Sequence, residues 1–474
     1  MKTLLLNPPS YEGFDGGAGS RYQAKREIRS FWYPTWLAQV AALIPGSRLI
    51  DAPARGLDLE DILPLAGDYE LLVVHTSTPS FPSDIKVAES FHEANPKLKI
   101  GLVGAHVMVL PEQSLSASPV IDFVCGNEFD YTIKEIAEGK PVSEVDGVTY
   151  RNEAGEIVHT NPRALIHDMD ALPSVLDVYE RDLVIEDYFI GYLKHPYVSL
   201  YTGRGCKSRC SFCLWPQTIG GHQYRTRSPE LVAAEVARIK SSFPQVEEVF
   251  FDDDTFTDNA PRAEEIARLL GPIGLPWSCN AKANVPRETL KVMKDNGLRL
   301  LLVGYESGVQ KILNNIRKGT IIERAREFTK DCHDLGIVIH GTFIMGLPGE
   351  TTKTIQQTIK FAREINPYTI QVSLAAAYPG THLYKQAQEN GWLLNEEGSL
   401  IGDAGLQVSS LQYPNLPKEV IFDAVEEFYR KFYFRPRKVA EITWDMLRSW
   451  QLMKRRLREG VEFFKFLHAR KEAV

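Results

Sequence analysis

Three cysteines within eight residues constrain this chain more than any other feature. Cys206, Cys210 and Cys213, in the run YTGRGCKSRCSFCLWP after an apolar stretch, require one loop to bring three thiolates to a common body. Only six cysteines occur in 474 residues, and no other lies within sixty positions of the triplet. A CxxxCxxC loop can ligate three irons of a cubane cluster, leaving the fourth iron open to a substrate or cofactor. A structural zinc site would need a second Cys or His pair to complete its tetrahedron. His222, the nearest downstream histidine, stands alone nine residues past Cys213. Scattered structural cysteines are the bland alternative, and the crowding of half of them argues against it.

The fold class read from the chain is α/β. Residues 1–140 alternate short apolar runs with helical stretches, as in a doubly wound, Rossmann-like domain. Its strands are expected at Lys2–Leu6, Arg48–Ile50, Glu70–His75, Leu98–Val103 and Asp122–Cys125, with a ligand at their carboxyl ends. Residues 141–195 read as a connector with a hairpin turning at Glu153–Gly155. Over 196–390 a strand-then-helix unit recurs about six times, as in a partial (β/α)6 barrel whose chemistry lies at the carboxyl ends of the strands. Residues 391–474 form a C-terminal helical region.

The triplet, with Phe212 before its third cysteine, resembles the radical S-adenosylmethionine (SAM) superfamily. That resemblance implies an enzyme with a 4Fe–4S cluster on Cys206, Cys210 and Cys213, SAM on the open iron, and a 5′-deoxyadenosyl radical as product of its cleavage. It also implies SAM contacts at Phe212, at Asp253 or a neighbour in FFDDDTFTDN, at Asn280, Lys282 and Asn284 in SCNAKAN, at Glu306 in VGYESG, and at Phe343 and Gly346 in GTFIMGLPGET. Tyr378 faces either the radical or the core. Cys279 reads as a small buried residue. The N-terminal pattern resembles the cobalamin-binding domain of the cobalamin-dependent subfamily, with Gly104–Val107 similar to a Gly-Gly-x-His strand end in which Ala105 replaces the second glycine. It implies cobalamin contacts at Ser77, Thr78, Gly104, Ala105, His106, Val107 and Glu128. A flavodoxin-like domain that only shapes the substrate channel is the alternative. Asp331, His333 and Gly336 spell the DxHxxG of cobalt-ligating proteins, but in the wrong half of the chain, where a surface helix ending at Gly336 is expected.

A net charge of −7 with 24% charged residues speaks against a nucleic-acid binder. Pro8 and Pro9 interrupt the opening too early for a signal peptide, and few cysteines suit a reducing cytosol. A tRNA methylthiotransferase would need three N-terminal cysteines, and only Cys125 precedes Cys206. Between Arg430 and Val474, thirteen Lys and Arg against five Asp and Glu are interleaved with Trp444, Leu447, Trp450, Phe463 and Phe466. Such helices suit either a peripheral contact with the inner face of the cytoplasmic membrane or a cap on an incomplete barrel. The opening NPPSYEGFDGGAGSRYQAKREIRSFWYPTWLAQ resembles the hopanoid-biosynthesis-associated radical SAM proteins. That implies a lipid or small-molecule substrate, a ring contraction of the glucosamine on a hopanoid side chain, and a low-potential electron donor such as flavodoxin or ferredoxin. A cobalamin-dependent methyltransferase on another substrate is the alternative.

Overall fold

The computed structural model describes residues 1–10, 25–394, 400–402, 405–448 and 450–472, without the side chains of 451, 452 and 472. Residues 11–24 of the distinctive opening lie outside that set.

Five buried apolar runs become the parallel core of the first sheet: β1 (Thr3–Asn7), β2 (Arg48–Asp51), β3 (Leu71–His75), β4 (Lys99–Val103) and β5 (Phe123–Cys125). Apolar side chains of β1, β3 and β4 are buried on both faces, which is why these strands carry continuous rather than alternating hydrophobicity. The expected hairpin forms as β6 (Val148–Arg151) and β7 (Ile157–His159). It is no free connector, however. β6 pairs antiparallel with β5, so the sheet has seven strands in the order β2-β1-β3-β4-β5-β6-β7. The open edge of β5 offers unpaired backbone groups, and the hairpin satisfies them.

The second half begins with β8 (Tyr197–Leu200). A two-stranded ribbon follows, β9 (Gly203–Arg204) against β10 (Arg225–Thr226). Then come β11 (Glu248–Phe251), β12 (Trp277–Ala281), β13 (Leu298–Glu306), β14 (Val338–Met345) and β15 (Thr369–Leu374). The order β8-β11-β12-β13-β14-β15 is sequential and every neighbouring pair is parallel, the half-barrel expected. Its outer edge at β15 is covered by the helix Lys418–Tyr433. The Tyr433 and Tyr429 hydroxyls accept from the backbone N–H groups of Ile370 (3.0 Å) and Val372 (2.9 Å), and Phe428 and Phe432 are buried. This helix is therefore a cap. Two more helices follow, Pro436–Arg448 and Trp450–Glu472. No helix among the described residues is long and apolar enough to cross a membrane.

The two halves meet through buried charge. Arg204 on β9 forks onto Asp130 at 2.7 and 2.9 Å, and Arg225 on β10 forks onto Glu128 at 2.7 Å twice. Tyr33 also stacks on Tyr188 and meets Tyr179 tilted and Tyr197 edge-on, its hydroxyl donating to the Tyr197 carbonyl at 2.7 Å.

Candidate active site

The cysteine loop leaves β9 at Gly205, whose φ is +88° and where a Cβ would lie 2.2 Å from the Gln223 carbonyl oxygen, so only glycine fits. Backbone carbonyls of the loop are then pinned from outside. His222 Nδ1 donates to Cys206 O (3.2 Å) and Ser208 O (3.0 Å), and Gln217 Nε2 donates to Cys210 O (3.1 Å) and Cys213 O (2.6 Å). His222, set aside above as a ligand, holds the loop instead.

Cys206, Cys210, Cys213 and Phe212 line one cavity of about 250 Å³ at the carboxyl ends of the barrel strands, together with Asp254, Asn280, Lys282, Glu306 and Thr342. Burial pushes the Cys210 and Cys213 thiols up from their ordinary pKa. Binding iron would release those protons, because a coordinated sulfur is a thiolate. Three cysteines, two buried and one half-buried, around a space of this size fit a cubane with three protein ligands.

Facing them is an ion pair, Glu306 to Lys318 at 2.6 Å. Glu306 has a left-handed φ of +61° where the register between β13 and β14 shifts. A Cβ at Gly304 would collide with both partners, at 2.4 Å from Glu306 Oε1 and 2.8 Å from Lys318 Nζ. Burial opposes the Lys318 charge, but Glu306 and the neighbouring Cys210 hold its pKa above the ordinary lysine value. Lys318 was not foreseen, since it follows a short helix rather than a strand. Trp32, Arg26 and Gln371 also line this cavity and were not foreseen.

Several expected contacts are placed elsewhere. Asp253 is fully buried, accepting from Thr202 N (2.6 Å), Thr202 Oγ1 (2.5 Å) and the Tyr224 hydroxyl (2.6 Å), so its neighbour Asp254 is the carboxylate that faces the cavity. Asn280 lines the cavity while its amide holds the Asp253 carbonyl at 2.8 Å, and Lys282 pairs with Asp258 at 2.5 Å. Asn284 is exposed and outside the cavity. Strand alternation sends Thr342 inward and Phe343 outward, where it stacks with Tyr305 and meets Phe428 at 5.0 Å. At Gly346 (φ +86°) a Cβ would lie 2.6 Å from Ile421 Cγ2, so the close approach there is to the capping helix. Tyr378 is half-buried and lines no part of the cavity. Cys279 is buried in β12, as expected. His333 is exposed near the end of its helix, with Gly336 at φ +69° just beyond, so the DxHxxG string is a helix terminus.

The ends of β3 and β4 form a second shelf. Ser77 is tied into a turn by Ser80 (2.8 Å), and Thr78 Oγ1 meets His106 Nδ1 at 3.2 Å. Gly104, at φ +124°, lets β4 pass over the Thr76 carbonyl. Ala105 and Val107 are buried. His106 is buried too, its Nε2 has no hydrogen-bond partner among the described residues, and burial lowers its pKa to about 4, which leaves the imidazole neutral at pH 7. Glu128 is not on this shelf in any usable sense: both oxygens are taken by Arg225, and one also accepts from Ile166 N. The shelf lies against the cluster loop. A Cβ at Gly380, in the AAAYPGTHLY turn, would sit 2.6 Å from Val109 Cγ2 and 3.2 Å from Thr218 Cγ2. Val109 ends the helix that starts at Ala105, and Thr218 ends the helix that follows Cys213.

The sequence profile of the Radical SAM superfamily matches residues 200–362. An uncharacterized methyltransferase of Pyrococcus horikoshii is 28% identical over 455 residues, covering 92% of this chain and 93% of the relative. The cytidylyl-2-hydroxyethylphosphonate methyltransferase of Streptomyces wedmorensis is 27% identical, covering 84% and 83%. The anaerobic magnesium-protoporphyrin IX monomethyl ester cyclase of Rubrivivax gelatinosus is 23% identical, covering 91% and 77%. Among solved structures, the cobalamin-dependent SAM radical enzyme OxsB superposes with a TM-score of 0.69 at 15% identity, over 97% of this chain and 72% of that one. The radical SAM methyltransferase TsrM from Kitasatospora setae does so with a TM-score of 0.69 at 15% identity, over 92% and 90%. Residues 200–362 are a radical SAM domain, the protein is an enzyme, and its cofactors include a 4Fe–4S cluster and SAM.

Proposed function

We propose that the enzyme is a cobalamin-dependent radical SAM methyltransferase acting on a small-molecule or lipid substrate in a reducing compartment, with electrons from a flavodoxin- or ferredoxin-like donor. One observation carries this reading: the strand-end shelf of the first sheet abuts the helix after the cysteine loop at Gly380, so a ligand on the shelf would stand beside the cluster cavity. The residues suit that occupancy. Cys206, Cys210 and Cys213 would hold the cluster, Asp254, Lys282 and Glu306 would face SAM, and Thr78, Gly104 and His106 would meet cobalamin, His106 with an Nε2 that has no partner among the described residues. When bound, these groups supply reductive cleavage of a sulfonium and a carrier for its methyl group. The chain does the rest. His222 and Gln217 hold the backbone of the cysteine loop, the Glu306–Lys318 pair supplies fixed charge, and the seam of Arg204 and Arg225 holds the two halves in register.

Methyltransferase relatives span most of the chain, in support of the methyl-transfer alternative. The ring contraction of a hopanoid side chain has no counterpart among the relatives described above, and methyl transfer replaces it. The test is cobalt retention after anaerobic loading with cobalamin and removal of the free cofactor. Wild-type protein retains about one cobalt per chain, and a Thr78→Val/His106→Phe variant loses about tenfold in affinity, one or two hydrogen bonds' worth. Wild-type protein that retains iron but no cobalt would remove cobalamin from the reading.

A further inference from the structure

Among the described residues, eight of the twelve large apolar side chains that stand exposed lie between 434 and 464, all in or beside the last two helices. Trp444, Leu447 and Trp450 are 63%, 72% and 64% exposed. Trp444 and Leu447 are three residues apart on Pro436–Arg448, and Leu457, Val461 and Phe464 repeat at helical spacing along Trp450–Glu472, so each helix presents an apolar stripe. Scattered exposed apolar residues need no explanation, but a concentration of this kind marks a surface that is covered in use.

Charge identifies the cover. The stripe is bordered by cations with no carboxylate partner among the described residues: Arg437, Arg448, Lys454 and Lys465. Two of them stand over the exposed indoles, Arg448 at 6.0 Å from the Trp444 ring and Lys454 at 5.3 Å from Trp450. Residues 430–474 carry thirteen Lys and Arg against five Asp and Glu in a chain whose net charge is −7. A second copy of the same face would meet it positive to positive, which disfavours a twofold dimer there. Indole rings flanked by cations match the boundary between lipid headgroups and acyl chains.

We infer that this face docks the enzyme on an anionic bilayer. The consequence for the fold is directional. A cavity of about 250 Å³ between these helices and the amino ends of β14 and β15 is lined by the exposed Phe434 and Val439 together with His340 and Arg26. Arg26 also lines the cluster cavity, donating to Gln371 at 2.7 Å. Docking therefore turns toward the membrane a cavity that shares Arg26 with the cluster cavity.

The test is flotation of the full-length, cluster-loaded enzyme with vesicles of phosphatidylcholine alone or mixed with phosphatidylglycerol. Wild-type protein floats with the mixed vesicles, stays unbound with phosphatidylcholine alone, and detaches as salt is raised. Arg448→Glu/Lys454→Glu lowers the partition coefficient about tenfold or more. Trp444→Ser/Leu447→Ser/Trp450→Ser lowers it as well, and both variants keep wild-type SAM cleavage in solution because every altered residue is exposed. Wild-type protein that remains unbound with both vesicle types overturns the inference. So does undiminished binding by both variants, or a dimer in sedimentation that the apolar variant alone dissociates.

Discussion

Replacing Arg225 by methionine tests how the two halves are joined. Its guanidinium, 5% exposed, donates twice to Glu128, once to the Ile166 carbonyl (2.5 Å) and once to that of Gly220 (2.7 Å). In Arg225→Met, Glu128, itself 1% exposed, keeps only the Ile166 N–H at 2.9 Å and Arg204 at 3.8 Å. Arg204 is already committed to Asp130, so a buried carboxylate is left undercompensated. Breaking such a pair costs about 3–5 kcal/mol. Glu128→Gln/Arg225→Met removes the stranded charge, and the double variant recovers at least about 2 kcal/mol of that loss. Acid supplies an independent check. Burial raises the Glu128 pKa, but the Arg225 hydrogen bonds and the Arg204 and Arg225 charges outweigh it and hold the group below the ordinary glutamate range. The folded pKa is thus depressed, so this stabilisation is full above the unfolded glutamate pKa of about 4.3 and is lost as pH falls through the folded value. Urea unfolding at pH 7 and pH 4, read by circular dichroism, should show the wild-type advantage over Arg225→Met shrinking in acid. A loss below about 1 kcal/mol at pH 7 would mean the seam contributes little, and the reasoning would fail.

Cys210→Ala should abolish the iron–sulfur absorbance after anaerobic reconstitution and with it all SAM cleavage, while the far-ultraviolet spectrum stays unchanged. Lys318→Met removes the cation beside Cys210 and Cys213; the reduced, more negative cluster loses stabilisation, so an electron-paramagnetic-resonance redox titration should place its potential lower than wild type. Glu350 is buried, accepts from Gly346 N (2.7 Å) and Leu347 N (3.1 Å), and has its pKa raised to about 7, burial outweighing those donors. Its folded pKa lies above the unfolded one, so ionisation costs stability as pH climbs from about 4.5 to 7. Glu350→Gln should gain up to about 3 kcal/mol over wild type by pH 8, with the gap closing below pH 5 in urea titrations.

What the chain disclosed in advance depended on whether a residue's role is local. The cysteine loop, all six barrel strands and all five parallel strands of the first sheet are written in contiguous stretches, where spacing and apolar runs suffice. Roles set by packing from afar were not legible. Gly346 is a glycine because Ile421 lies 2.6 Å from its missing Cβ, seventy-five residues on. Phe343 was expected to face the cavity, yet the pleat gives that position to Thr342. Asp253 and Asp254 look alike in a run of three aspartates, and it is Thr202 and Tyr224 that hold Asp253 while Asp254 lines the cavity. Glu128 likewise sits at a strand end that suggests a ligand, and Arg225, ninety-seven residues away, claims it. Lys318 follows a short helix, and its partner Glu306 sits at a shift in strand register, so no local pattern announces the pair.

Methyl transfer is tested most directly by product analysis on the anaerobically reconstituted enzyme, loaded with cluster and cobalamin, reduced, and supplied with SAM and an extract of candidate acceptors. S-adenosylhomocysteine that forms only when cobalamin is present, together with about four irons per chain, is the predicted result. 5′-Deoxyadenosine and methionine as the only SAM-derived products, in equal yield with or without cobalamin, would contradict it and leave a radical SAM enzyme that does not transfer methyl groups.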